Sequence, residues 1–304
     1  MRVAYLGPAG TFSQEALLAS PGASAWEALP QPSVYDAVLA VHDGAADRAL
    51  VPIENSLEGS VNATLDALAF EADDVVIVGE LVHPVRHCLI TREAVSPESI
   101  RTVVSHPQAS GQCARFIRTR LGAATVVPAA STADAVRLVA EGDLPAGTPG
   151  PPAALGNRLA AALYGCEVIL DGVEDAAGNA TRFIWVAPRA DAPPAGPHAA
   201  PPGSHVTPAG ATAAPSGRAK TSLVFWGAGS VAPGWLVRCL SEFAFRGVNL
   251  TRIESRPLKQ GLGSYVFFLD CEGHESAGPV ADAIEGLRGQ AEVVRVLGSY
   301  PVAP

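Results

Sequence analysis

A basic excess is the first thing this sequence lacks: 21 Lys and Arg face 30 Asp and Glu, a net charge of −9. That balance argues against a nucleic-acid or acidic-membrane partner, which would select a basic face. A small anion remains possible, because local donors can hold one inside an acidic protein. Long apolar runs are missing too. No run reaches the roughly 18 residues of a membrane span, and the opening MRVAYLGPAGTFS has no signal-like apolar core. Cysteine is scarce and unpatterned. Cys88, Cys113, Cys166, Cys239 and Cys271 are odd in number with no CxxC pair, which predicts reduced, mostly buried thiols in a cytoplasmic protein. Charged residues make up only 17% against 48% hydrophobic, so the Ala-rich chain can fill cores and is not disordered.

The length of 304 residues suggests roughly two domains. Composition divides them. Residues 190–219 hold seven prolines and no Leu, Ile, Phe, Trp or Tyr, so burial cannot offset the ordering entropy and a linker is expected there. As a flexible coil its thirty or so residues span on the order of 30 Å. Before it, short apolar runs alternate with helix-like segments. VAYLG leads into TFSQEALLAS, ALVPI into NSLEGSVNATLDALAF, TVVSHPQ into ASGQCARFIRTRL, and TVVPAA into STADAVRLVAEG. This alternation predicts βα units and a largely parallel, doubly wound α/β sheet over residues 1–189.

Polar residues cluster where strands hand over to helices, the ends at which open α/β sheets bind ligands. Thr11-x-x-Gln14, Asn55-x-x-Glu58 and Ser131-x-x-Asp134 read as capping boxes or their relatives. Capping does not account for Glu54 ahead of its cap, for Gln112 one turn into a helix, or for Thr181-Arg182-Phe183 opening a strand that starts no helix. His83 and His87 are spaced as helical metal ligands would be, but Pro84 between them argues against a regular helix. Gly227-x-Gly229 lacks the rest of a dinucleotide fingerprint. Neither a metal nor a cofactor is expected.

Five segments together carry a resemblance: YLGPAGTFSQEA at Tyr5, VPIENSLEGSVNATLD at Val51, SHPQASGQC at Ser105, NATRF at Asn179 and NLTRIESRP at Asn249. In that order, across both halves, the sequence resembles the monofunctional prephenate dehydratases. The resemblance implies a two-lobed catalytic domain, like type II periplasmic binding proteins, with the site in the cleft between its lobes. It implies decarboxylation and dehydration of prephenate to phenylpyruvate, in phenylalanine biosynthesis. Arogenate dehydratase, or a non-catalytic amino-acid-sensing binding protein, remains the alternative.

The reaction suits these residue types. Loss of CO₂ and the ring hydroxyl makes the substrate aromatic, so the enzyme orients a dianion, donates to the leaving hydroxyl and excludes water. Neutral, preorganised donors can do this. By resemblance, Thr181 meets the leaving hydroxyl, and Asn55, Ser105 and Gln112 line the pocket with Thr11, Phe12, Ser13 and Phe183. Arg182 or helix N-termini hold a carboxylate. Glu54 is the candidate titrating acid, since a bound dianion would raise its pKa; the alternative is that it partners a local N–H or Arg.

After the linker, residues 220–304 read β-α-β-β-α-β, the ferredoxin-like order. TSLVFWGA is a strand, PGWLVRCLSEFAFRG a helix, and NLTRIESRPL with SYVFFLDCEG a hairpin. This resembles an ACT amino-acid-sensing domain, with a structural dimerisation module as the bland alternative. The resemblance implies phenylalanine as effector, bound by Gly234, Trp235, Leu236 and the ESRP motif, Glu254, Ser255, Arg256 and Pro257. It also implies a homodimer or homotetramer. Trp235 departs from the short aliphatic usual after the helix-opening glycine, a bulk expected either to narrow the effector site or to change which aromatic amino acid fits.

Overall fold

The computed structural model describes residues 1–191, 218–227, 229 and 232–303, so positions 192–217 of the expected linker lie outside the described residues. The first lobe runs β1 (Arg2–Leu6), α1 (Phe12–Leu18), β2 (Glu27–Gln31), α2 (Val34–His42), β3 (Arg48–Asn55), β4 (Gly59–Ser60), α3 (Asn62–Phe70) and β5 (Val75–Pro84). The second runs β6 (Cys88–Thr91), β7 (Thr102–Ser105), α4 (Pro107–Gln112), α5 (Ala114–Arg120), β8 (Thr125–Pro128), α6 (Thr132–Glu141), β9 (Pro152–Gly156), α7 (Arg158–Leu163) and β10 (Glu167–Asp171). The chain then returns to the first lobe as β11 (Ala180–Pro188). The lobes are therefore joined by two crossings, 85–87 and 172–179. These lie side by side, Val85 N–H donating to Asn179 O at 2.8 Å and Val173 N–H to His87 O at 2.9 Å.

The expected two-lobed α/β arrangement is present, but its sheets are mixed rather than largely parallel. The first sheet has the order β2-β1-β3-β11-β5, with β4 beside β3. Its β1, β2 and β3 are parallel, whereas β11 runs antiparallel to both neighbours. The second has the order β10-β6-β9-β7-β8, parallel around β7 and antiparallel at β6. A segment that crosses and comes back must reverse direction, and βα periodicity does not reveal that.

Each face of the first sheet has its own cover. Ala16 and Leu17 of α1 pack with Val3, Tyr5, Leu50 and Phe183 on one side. On the other, α2 and α3 bury Val51, Ile53, Ile184 and Val186. The C-terminal unit runs β12 (Ala219–Trp226), α8 (Trp235–Ala244), β13 (Leu250–Pro257), β14 (Tyr265–Glu272), α9 (Gly278–Arg288) and β15 (Val293–Pro301). Its antiparallel sheet, ordered β13-β14-β12-β15, is the ferredoxin-like arrangement expected from the sequence. The helices cover one face around Phe225, Cys239, Phe243 and Leu287. All five cysteines are free, and four are buried; burial first of all pushes the Cys88, Cys113 and Cys271 thiols up to about 12.

The other face of this sheet does not stand free. Val224, Val266, Phe268, Leu297 and Tyr300 join the same core cluster as Ile77, Ile184 and Val186 of the first lobe. A break in composition between two units says nothing about whether their surfaces meet, and here one core spans both. The approach is close: a Cβ on Gly298 would overlap the Ile77 carbonyl. Gly298→Ala is expected to destabilise the protein by about 1–3 kcal/mol, the usual cost of overpacking. The measurement is the urea midpoint, and an unchanged midpoint would mean the units are not docked this way.

Candidate active site

Successive side chains of a strand point to opposite faces, and β11 uses the rule at its first residues. Thr181 lies opposite Asn55, and Arg182 opposite Glu54. Thr181 is buried on the α1 side, where the crossings and the end of β3 meet. Its Oγ1 accepts from Asn55 Nδ2 at 3.0 Å, and the same amide donates to Asn179 Oδ1 at 2.9 Å. Asn55 is held the right way round because its Oδ1 accepts the N–H groups of Leu57 and Glu58, at 2.9 and 3.1 Å. This is an Asx turn, not the start of a helix; α3 begins seven residues later, at Asn62. The expected capping box at Asn55-x-x-Glu58 is thus a turn that aims an amide.

The network continues across the cleft. Asn179 Nδ2 donates to Gln112 Oε1 at 3.0 Å, and Gln112 Nε2 donates to Glu58 Oε1 at 3.1 Å. Gln112 Oε1 also receives His87 Nε2 at 2.9 Å. An amide oxygen only accepts, so Nε2 carries the ring proton, and Nδ1 is left as a buried acceptor without a partner among the described residues. Phe12 stacks edge-on against this imidazole with 5.4 Å between ring centroids. His87 is the residue that sequence reasoning missed, having weighed it only as a metal ligand. It and His83 take different partners, Gln112 and Glu15. The HP–HC context at the lobe crossing was the one available signal.

Other expected site residues stand elsewhere. Thr11 caps α1, accepting from Gln14 N–H and donating to Leu6 O at 2.8 Å, and Ser13 is buried in the same helix. Ser105 closes β7, fully buried, and donates to His106 O at 3.1 Å. Phe183 anchors the first lobe's core beside Tyr5 and Leu50. The largest departures are Arg182 and Glu54. Both side chains lie on the face away from Thr181, Arg182 Nε donating to Glu54 Oε2 at 3.1 Å. Arg182 is therefore not placed to hold a substrate carboxylate, and Glu54 takes the alternative role of an arginine's partner. Strand alternation forces this, since neighbours of Thr181 and Asn55 cannot share their face.

The effector candidates divide in the same way. A cavity of about 270 Å³ is lined by Gly234, Trp235, Leu236, Val237, Tyr265 and Phe267, among others. Ser255 and Pro257 lie opposite Phe267 and Tyr265 on the adjoining strand. Glu254 and Arg256 turn the other way, onto the first lobe. Glu254 accepts from Ser60 Oγ at 2.6 Å, and Arg256 pairs with Asp66 at 3.0 Å. Trp235 forms part of the cavity wall. Its ring is 4% exposed, packs against Phe225 and Phe267, and donates from Nε1 to Gln290 O at 2.7 Å.

The family model described as prephenate dehydratase matches residues 3–191. The chain belongs to the prephenate dehydratase family. The prephenate dehydratase of Mycobacterium tuberculosis is 37% identical over 312 residues, covering 100% of this chain and 88% of that protein. A solved prephenate dehydratase from Arthrobacter aurescens, in complex with L-Phe, superposes with a TM-score of 0.81 at 37% identity, covering 99% of this chain and 90% of that one. The quorum-quenching acylase GqqA superposes at 0.79 with 33% identity, covering 100% and 99%. The expected dehydratase activity, that of a carbon–oxygen lyase, follows from membership of this family. No described helix is long and apolar enough to cross a membrane.

His87 also gives this prephenate dehydratase-family site a pH signature. Burial, the larger effect, holds its imidazole below the ordinary value against the opposing pull of Gln112. The unfolded chain takes up a proton near pH 6.5, where the folded imidazole is still neutral. Stability from this group is therefore complete above about pH 6.5 and falls as pH drops below it. Denaturation midpoints measured from pH 7.5 down to 5 should fall more steeply for the wild type than for His87→Gln. Equal slopes would remove His87 from the account.

Proposed function

We propose that Thr181 donates to the departing hydroxyl of prephenate in the cleft between the lobes. One observation carries this reading: Asn55 Nδ2 fills a lone pair of the Thr181 oxygen. Among the described residues no acceptor takes the Thr181 hydroxyl hydrogen, so that hydrogen is available to a ligand. As the carboxylate leaves as CO₂, its bonding pair moves into the ring and the ring expels hydroxide, which takes up a proton to become water. Thr181 stabilises the negative charge growing on that oxygen. Asn55, Asn179 and Gln112 are neutral and fixed by one another, so they need no reorganisation as the charge moves. Helix N-termini, not Arg182, remain the expected partners of the substrate carboxylates. An acylase, by contrast, activates its nucleophile with a base, whereas Thr181 is approached by an amide N–H.

The C-terminal unit is read as an ACT sensor that binds phenylalanine in the cavity lined by Gly234, Leu236, Tyr265 and Phe267, with Ser255 and Pro257 beside it. A homodimer formed through this unit is supported by exposed apolar side chains around edge strand β13, namely Val237, Ile253, Leu262 and Tyr265. Effector binding would then shift prephenate affinity by a typical 5- to 150-fold, about 1–3 kcal/mol of coupling.

Turnover of purified protein on prephenate and arogenate, each with and without phenylalanine, separates the two substrate readings. On the preferred substrate Thr181→Ala should lower kcat by about 10²–10³, as expected for the loss of one preorganised donor. KM should change much less, and Thr181→Ser should recover part of the rate. A near-normal kcat in Thr181→Ala would show that the donor lies elsewhere.

A further inference from the structure

Arg182 follows Thr181 in the chain, yet none of its contacts described above serve the cleft. Its three guanidinium nitrogens meet three carboxylates: Nε with Glu54 at 3.1 Å, Nη1 with Glu80 at 3.2 Å and Nη2 with Asp270 at 2.8 Å. These acids come from β3, β5 and β14, so the set spans the first lobe and the C-terminal unit. The side chains of Glu80 and Asp270 are only 2% and 3% exposed. Each has a further anchor in the C-terminal unit. Lys220 Nζ bridges both oxygens of Glu80 at 3.0 and 2.8 Å, and Ser222 Oγ donates to Asp270 Oδ1 at 2.6 Å while sharing a 2.7 Å contact with Tyr300 Oη.

We propose that Arg182 is a positioning residue for the dehydration, and that Asp270 makes the C-terminal unit part of the apparatus that places Thr181. The inference rests on the reading of Thr181 as the donor to the leaving hydroxyl. Planar guanidinium geometry fixes the Arg182 side chain in orientation as well as position. Its α-carbon adjoins that of Thr181; β11 stays in register with β5 from Ala180 to Trp185, whereas its register with β3 shifts between Arg182 and Phe183. To these ladders the clamp adds a tether from the C-terminal unit. If the C-terminal unit moves, Asp270 draws Nη2 with it and the backbone at 181–182 follows. Thr181 Oγ1 then leaves its 3.0 Å contact with Asn55. Displacements of about 1 Å in a catalytic group can cost on the order of 10²-fold in rate. Phenylalanine bound in the distal cavity would act on the rate through this route.

The test uses the full chain with prephenate. Asp270→Asn, which keeps size and removes the charge, should lower kcat by about 10- to 100-fold, in the range of a misplaced catalytic group, with KM held within about twofold. Asp66→Asn is the control, because it removes a different ion pair between the same units, that to Arg256; its kcat should equal the wild type. Arg182→Gln should fall further than Asp270→Asn, and Arg182→Lys should recover part of that loss. Melting curves restrict the assay to temperatures where each variant is folded. A folded Asp270→Asn with wild-type kcat overturns the proposal, as does an equal loss in Asp66→Asn, which would reveal only general loosening. If Asp270→Asn does not fold, Arg182→Lys carries the same decision: kcat lowered with KM held supports positioning, and an unchanged kcat overturns it. Thr181→Ala run in parallel keeps the failures apart. A rate loss there with none in Asp270→Asn sinks the clamp alone, whereas no loss in Thr181→Ala sinks the reading beneath it.

Discussion

A strand covered on both faces by different units cannot move one face and leave the other in place, and β11 is such a strand. Toward α1 it presents Thr181 and Phe183, and toward α2, α3 and the C-terminal sheet it presents Arg182 and Ile184. The hydroxyl, the guanidinium and the phenyl ring of the TRF motif thus answer three separate demands. One faces the cleft, one ties in the C-terminal unit and one anchors the first lobe's core. Their adjacency in sequence is the shortest mechanical link that a strand allows between a cleft and a docking surface.

The docking surface is expensive in the usual sense of buried charge. Removing an ion pair's partner leaves an uncompensated charge at a cost of about 3–5 kcal/mol, whereas an apolar replacement of the whole set is often neutral or better. Stability alone therefore does not favour four buried charges. The set favours one geometry: Arg182 satisfies its carboxylates only when β14 stands at one distance and angle from β5. Burial by itself depresses the Arg182 guanidinium, yet the carboxylates of Asp270 and Glu80 outweigh that effect and hold it above its ordinary value. The cation is thus committed to this arrangement. Apolar contacts in the shared core supply attraction without such selectivity.

Much of this was legible in the sequence. The family resemblance singles out Asn55, Gln112 and Thr181, and the structure brings them into one network with Asn179. The βαββαβ order of the last segment was read from alternating periodicities, and each element formed where expected. What was not legible has a common cause. Alternation along NATRF says that Thr181 and Arg182 face apart, but it does not say what covers the second face. With no sign of the C-terminal sheet there, the sequence leaves Arg182 a candidate for a substrate carboxylate beside the helix N-termini, and Glu54 either a titrating acid or an arginine's partner. Glu254 and Arg256 were misplaced for the same reason, since ESRP reveals alternation but not which side meets Ser60 and Asp66. Asn55 was misread locally, because an Asx turn and an N-cap use the same side-chain oxygen and the same spacing.

The division of polarity across β11 also bears on the chemistry. On the cleft side the fixed groups are a hydroxyl, three amides and an imidazole that burial keeps neutral. On the far side stand Arg182, Lys220, Glu80 and Asp270. A dianion entering the cleft meets donors whose alignment is already set, with the Glu58 carboxylate at the outer end of the amide chain. Each amide donates in one direction, from Asn55 to Asn179 to Gln112 to Glu58, so the carboxylate polarises the chain and orients every member. Placing the strong charges one strand-thickness away keeps them from competing for the substrate. It also lets them report the position of the C-terminal unit through the backbone they share with Thr181.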